Sequence, residues 1–293
     1  MNDMLEQLLE DYSEAPQSER EQAIREVVQE LVLYGLSSAG FFNKAAFIGG
    51  TALRIFHGLK RYSEDLDFIL MQPGKFDFSD YLPLVRQRLS VFGLNLEMRE
   101  KERKNFDIIA GSAVANTKEL YLAIYSEDDY SKSIYRIQTM KIKIEIGKHF
   151  SNRAGYKGVV KTKPFIHAVT LCDMPTLFAG KIHAILFRKH QGRIKGRDLF
   201  DFAFYVRRNI PFNLDFLNDK MKISNEFENE MIFDDVVIML KDRFESINYE
   251  LAKADVKPFL NEDQVIELDH WNSDYFIKLT EDISCQGELI ISQ

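Results

Sequence analysis

Asp65 and Asp67 are separated by Leu66 and followed by Phe68-Ile69-Leu70. This alternation of polar and apolar residues predicts a short strand, and side chains at i and i+2 of a strand point the same way. Two like charges on one face repel, so the pair calls for a metal ion, a cationic side chain or strong solvation. An oxygen-only pair at this spacing suits Mg²⁺ (or Mn²⁺), which takes one or two protein carboxylates and completes its shell with water and substrate phosphate. Upstream, Gly49-Gly50-Thr51 follows the apolar run Ala45-Ala46-Phe47-Ile48 and precedes Ala52-Leu53-Arg54-Ile55-Phe56. Strand, glycine turn and helix in that order place backbone N–H groups at a helix start, where a phosphate can sit. A phosphate cradle followed closely by a metal-binding aspartate pair is the apparatus of nucleoside triphosphate chemistry.

Later stretches supply further candidates. Lys141-Ile-Lys-Ile-Glu-Ile146 alternates strictly, so Lys141, Lys143 and Glu145 share one face of a strand. Glu145 is thus a candidate third carboxylate, since a two-metal site needs one beside Asp65 and Asp67; a cross-strand ion pair on an exposed face would need the same pattern. Lys181 and Arg188 lie seven residues apart on the helical segment that begins near Pro175, two turns apart on one face. A lysine is a compact charge for phosphate, and an arginine can grip one with two bonds. Asp198 and Asp201 also share a helix face, with Arg197 four residues before Asp201 and able to pair with it.

In sequence order, Gly49-Gly50-Thr51-Ala52-Leu53-Arg54 and Arg61-Tyr-Ser-Glu-Asp-Leu-Asp-Phe68 resemble the AbiEii/AbiGii abortive-infection toxins. These are minimal nucleotidyltransferases of the DNA polymerase beta superfamily, whose pattern is a Gly-Gly or Gly-Ser turn, a short helix, then two aspartates flanking an apolar residue. Here Gly-Gly replaces the commoner Gly-Ser, which leaves Thr51 to supply the hydroxyl. The stretch Ala179–Arg188 looks like the family's lysine-bearing helix, and Lys195-Gly-Arg-Asp-Leu-Phe-Asp-Phe202 like its final Arg-Asp-h-h-Asp motif, where h is apolar. The resemblance covers about residues 40–210. It implies metal ligation by Asp65, Asp67 and Glu145, triphosphate contacts from Gly49, Gly50, Thr51, Lys181 and Arg188, and an active-site role for Asp198. Asp201 would support Lys181 or Arg197.

The elements that must position these residues are legible in outline. Helices are expected at 1–14 and 18–36, the second opened by a Ser18/Glu21 capping box. Strands are expected at 45–48, 66–70, 94–102, 106–112, 118–125 and 134–147, with a helix over 79–92. Past Pro175 the pattern becomes helical, at 175–190, 196–208, 235–253 and 262–281. The fold class is therefore α+β: a nucleotidyltransferase-like mixed sheet with flanking helices over residues 1–172, then a helical C-terminal domain over 173–293. The 293 residues suffice for one large or two modest cores.

No apolar run is long enough to span a membrane, and two cysteines read as reduced thiols, so a cytoplasmic protein is expected. The net charge of −7 is unevenly spread: residues 141–208 hold 15 Lys and Arg against 4 Asp and Glu, while the segment after residue 210 is acidic. That basic segment is a candidate dock for a polyanion. The six histidines show no metal-ligand spacing. Together these residues imply transfer of a nucleoside monophosphate from an NTP to a hydroxyl acceptor; the motifs do not fix the acceptor, and the basic segment makes RNA, tRNA in particular, the candidate. The resemblance also implies a cognate antitoxin as partner. A metal-dependent phosphodiesterase or nuclease, and a non-catalytic NTP-binding protein, remain the alternatives that the same residues allow.

Overall fold

A computed structural model of the chain describes residues 19–91, 97–101, 108–116, 139–163, 165–187, 195–224 and 229–286. The described chain forms two compact units. The first comprises the chain up to Ala52, then Ser63–Phe150 and Lys157–Leu171; the second comprises Leu53–Tyr62, Ser151–Tyr156 and the chain from Cys172 onward.

The first unit is built on a mixed sheet of seven strands, in the order β3-β4-β5-β2-β1-β7-β6. These are β1 Ala45–Ile48, β2 Leu66–Leu70, β3 Glu97–Lys101, β4 Ile108–Asn116, β5 Thr139–Gly147, β6 Tyr156–Lys161 and β7 His167–Cys172. Strand β2 runs antiparallel to β1 and parallel to β5. The predicted alternation in β5 is realised: Ile142, Ile144 and Ile146 are fully buried, and the residues between them are not. Neither β6 nor β7 is among the strands expected from sequence; β6 carries no clean alternation, whereas β7 does, with His167, Val169 and Leu171 buried and Ala168 and Thr170 more open.

Helix α1 (Arg20–Ser38) starts after Glu19, which makes no side-chain capping bond, and the expected Ser18 cap lies outside the described residues. Buried residues follow one another from Val27 to Leu33 in α1, so this part of the helix has no solvent stripe. Its two buried polar residues are paired, Gln29 Nε2 donating to the Ser63 carbonyl at 2.9 Å and Glu30 accepting from Lys161 Nζ at 2.6 Å. Buried polar groups need such partners. Phe41 then anchors an aromatic cluster with Phe42, Phe68, Phe76, Phe78 and Tyr81, with ring centroids 4.9–6.1 Å apart. Helix α2 (Gly49–His57) follows β1 directly, and α3 (Leu82–Ser90) lies within the expected 79–92 segment with Pro83 in its first turn.

The second unit is mainly helical: α4 Met174–Phe187, α5 Gly196–Arg207, α6 Leu214–Ile223, α7 Phe233–Glu245, α8 Tyr249–Val256, α9 Glu262–Val265 and α10 Ser273–Leu279. The two long helices expected at 235–253 and 262–281 are broken. Asn248, Asn261 and Asn272 each accept a backbone N–H three residues on, from Leu251, Gln264 and Tyr275. Short polar side chains that bond the backbone start new helices in this way rather than continuing old ones. The same chemistry at Asn213 opens α6, which the sequence reading passed over. The core of this unit stacks Phe178 on Tyr205 at 4.6 Å, with Phe202, Phe212, Phe244 and Phe276 around them. Cys172 and Cys285 are both free thiols.

Two glycines of this unit make opposite demands. A Cβ on Gly196 would stand 1.8 Å from the carbonyl oxygen of Ala252, so the start of α5 packs on α8 through the missing side chain. A Cβ on Gly180, in the middle of α4, would meet nothing within 4 Å. Gly196→Ala is therefore expected to lower the melting temperature by several degrees. Gly180→Ala is expected to hold or raise stability, by up to about 1 kcal/mol of helix propensity. Thermal denaturation of both variants checks the contrast.

Candidate active site

The first unit gathers Gly49, Thr51, Asp65, Asp67, Lys143 and Glu145. The parallel pairing of β2 with β5 sets Asp67 directly beside Glu145, and the buried partners Leu66–Ile144 and Phe68–Ile146 fix that register from below. Continuing the same register brings Lys143 opposite Asp65, and the Lys143 ammonium lies 2.8 Å from Glu145 Oε1 and 3.9 Å from Asp65 Oδ2. The side chains of Asp65, Lys143 and Glu145 are partly open to solvent, so their charges are only moderately strengthened by burial.

The glycine turn is fitted to the carboxylates. Gly49 has φ +82°, a conformation L side chains rarely adopt, and a Cβ there would come within 2.7 Å of Asp67 Oδ2. The Asp67 carboxylate thus packs against the glycine α-carbon where β1 turns into α2, beside the first N–H groups of that helix. Gly50 follows within the first turn of α2. Thr51 lies in the first turn of α2. Its side chain is buried and its hydroxyl donates to the backbone carbonyl of Asp65 at 2.5 Å. The hydroxyl therefore ties the helix start to the strand that carries the aspartates.

Among the described residues, no three or more His, Cys, Asp or Glu side chains converge closely enough to hold a metal ion. The expected three-carboxylate set is not assembled as a cage: the Lys143 ammonium, not a third oxygen, is what joins Glu145 to Asp65. Asp65 and Asp67 do fit the looser requirement of a magnesium-type ion. They are oxygen donors two residues apart, partly open, beside a turn where phosphate oxygens could complete the shell.

The second unit holds Lys181 on α4 and Asp198 and Asp201 on α5. Lys181 Nζ lies 2.6 Å from Asp198 Oδ1 and 2.8 Å from Asp201 Oδ2. Arg61 grips Asp201 with two bonds, Nε to Oδ1 at 2.6 Å and Nη2 to Oδ2 at 2.7 Å. Arg61 is 3% exposed and Asp201 fully buried. Burial pushes the Asp201 carboxyl up, but the charges and hydrogen bonds of Arg61 and Lys181 outweigh it and hold the group below the usual carboxylate range. Asp201 supports Lys181, as one of the two expected alternatives had it. Arg197 instead lies 4.0 Å from Asp255 and over the Phe259 ring at 4.2 Å. Arg61 was given no role from sequence, although it opens the motif that ends in Asp67. Arg188 lies outside the described residues.

The basic character of residues 141–208 is partly cancelled on folding. In the second unit, Arg153 pairs with Asp215, Asp219 and Glu230, Arg197 with Asp255, and Arg207 with Glu267. The acidic tail therefore supplies the counter-charge for these three arginines. On the first unit, Lys141, Lys148, Lys157 and Lys163 are exposed.

The buried Asp201 network sets a testable pH dependence. Because its folded pKa is lowered, its stabilisation is complete above the unfolded carboxylate range near about pH 4 and is lost as pH falls through the folded value. Asp201→Asn leaves the buried Arg61 without its counter-charge and Lys181 with Asp198 alone, and should cost about 3–5 kcal/mol at neutral pH. Denaturant unfolding across pH should show the wild type losing its advantage over the variant only in acid.

No helix among the described residues is long and apolar enough to cross a membrane. No curated protein matches the chain. Among solved structures it is similar to the crystal structure of JHP933 from Helicobacter pylori, with 17% identity, TM-score 0.52, and 89% and 90% of the two chains covered. It is also similar to a Helicobacter pylori protein described as a candidate nucleotidyltransferase, with 18% identity, TM-score 0.49, and 88% and 95% covered. The first likeness supports the mixed α+β fold. The profile of the family described as nucleotidyl transferase AbiEii toxin, type IV TA system, matches residues 31–276. The chain belongs to this AbiEii family of nucleotidyltransferase toxins of type IV toxin–antitoxin systems.

Proposed function

We propose that the protein transfers a nucleoside monophosphate from an NTP to a hydroxyl of an RNA, and that the reaction depends on a divalent metal. One observation carries this reading: the Asp67 carboxylate sits against the α-carbon of Gly49, at the start of α2 and in register with Glu145. Carboxylates and helix-start N–H groups are thereby offered to one ligand, and a metal-bound triphosphate needs both. A phosphodiesterase using water would need the carboxylates without the glycine turn.

In the proposed reaction the acceptor oxygen bonds to the α-phosphorus. The bond from that phosphorus to the β-bridging oxygen breaks, and pyrophosphate leaves. Glu145 is assigned the hydroxyl proton. Asp65 and Asp67 would hold Mg²⁺ or Mn²⁺, which neutralises charge on the triphosphate when bound. Gly49 and Gly50 give the phosphates close access to backbone N–H groups. Lys181 is assigned to triphosphate binding, with Asp198 and Asp201 orienting its ammonium; two of its three N–H donors point to these aspartates. The exposed lysines 141, 148, 157 and 163 favour a polyanionic acceptor such as tRNA. A cognate antitoxin is the expected protein partner.

Asp65→Asn and Asp67→Asn should each abolish divalent-dependent pyrophosphate release from NTP in the presence of total RNA. Melting temperatures should stay unchanged or rise, because each change removes a like charge from a crowded face. Pyrophosphate release near the wild-type rate from either variant would refute the assignment.

A further inference from the structure

Lys143 is the cation that the carboxylate cluster already holds. Strand β5 presents it two residues before Glu145, and the β2–β5 register brings it to Asp65. Its ammonium lies 2.8 Å from Glu145 Oε1 and 3.9 Å from Asp65 Oδ2. Asp65, Asp67 and Glu145 together bring three negative charges to one face, and a lysine on the same face is one means by which a folded chain can tolerate them without a metal.

We infer that Lys143 is a built-in counter-ion that a divalent cation must displace, and that it sets the metal affinity of the free protein. This rests on the proposed metal-binding role of Asp65 and Asp67. Three features of the contact favour exchange over a permanent bridge. The pair is partly solvated, with Lys143 37% and Glu145 22% exposed, so its rupture costs little. The lysine stem is long and its ammonium is readily rehydrated, unlike a planar guanidinium. The contact contrasts with that of Lys181, which is 13% exposed and fixed by two aspartates, one of them fully buried. Lys143 is therefore placed to yield, and Lys181 to stay.

A functional consequence follows from the charge count. With the ammonium in place the free protein binds divalent ions weakly, so a metal already carried by a triphosphate is favoured over the bare ion. The triphosphate brings further oxygen ligands, and its binding energy helps to displace the lysine. Lys143 thus acts as a positioning residue that couples metal entry to nucleotide entry.

The test is Mn²⁺ binding to the full chain without nucleotide, read by electron paramagnetic resonance of the free ion. Wild type is compared with Lys143→Met and Lys143→Arg. Lys143→Met keeps the apolar stem and removes the charge, and should lower the Kd for Mn²⁺ by a factor of roughly 1.5 to 5, the range expected for losing one partly exposed ion pair. Lys143→Arg keeps the charge and should leave the Kd at or above the wild-type value. A second readout is thermal. In EDTA the Met variant should melt below wild type, and Mn²⁺ should raise its melting temperature by the larger amount, because ligand linkage scales with affinity. Unchanged or weaker Mn²⁺ binding by Lys143→Met, with measurable wild-type binding, overturns the counter-ion role and leaves the carboxylate site standing. Absence of Mn²⁺ binding in all three proteins overturns the metal reading of Asp65 and Asp67, and this inference with it.

Discussion

The pairing of β2 with β5 is the constraint from which the candidate site follows. Leu66 and Phe68 face the core on one strand, and Ile144 and Ile146 on the other, all with almost no exposed surface. A slip of one residue would turn these side chains outward and drive Asp67 and Glu145 into the core, so the register is held by hydrophobic burial. Once it is held, Asp67 must lie beside Glu145 and Asp65 must approach Lys143. The charge crowding at the surface is thus imposed by apolar packing beneath. The neighbouring residues accommodate it: Gly49 yields space to Asp67, Thr51 ties down the Asp65 backbone, and Lys143 supplies opposite charge.

The second unit deals with crowded charge in the opposite way. Asp201 is fully buried, and it is gripped by the Arg61 fork and by Lys181, which also meets Asp198. Two cations and two anions cancel in a largely buried site, where a missing member would be costlier than on the surface. Such a network fixes geometry. The cluster of the first unit, partly solvated and bridged by one yielding lysine, is suited to changing partners. The two clusters therefore differ in character: one holds an ammonium between two aspartates, one of them fully buried, and the other holds its ammonium on a partly solvated face.

Much of the site was legible because its chemistry is written in short spacings. The alternation around Asp67 and Glu145 predicted both strands and the faces of their side chains, and the glycines marked the turn that accommodates Asp67. The strand pairing that makes Asp67 and Glu145 neighbours was not legible, since 78 positions separate them and no local pattern encodes a parallel register. For the same reason Arg61 escaped notice, as its partner Asp201 is 140 residues away. Part of the basic surplus of residues 141–208 is offset in three dimensions, where Arg153, Arg197 and Arg207 pair with Asp215, Asp219, Glu230, Asp255 and Glu267. The helix breaks marked by Asn248 and Asn272 could have been read from their capping chemistry. The helical periodicity on either side concealed them.

The most direct measurement is the fate of label from two forms of one NTP, incubated with the protein, Mg²⁺ and total RNA. Transfer of a nucleoside monophosphate predicts that label from the α-phosphate becomes attached to RNA while label from the γ-phosphate is released as pyrophosphate. Release of γ-label as orthophosphate, with no α-label in any macromolecule, would mean that the carboxylates serve hydrolysis and would contradict the account.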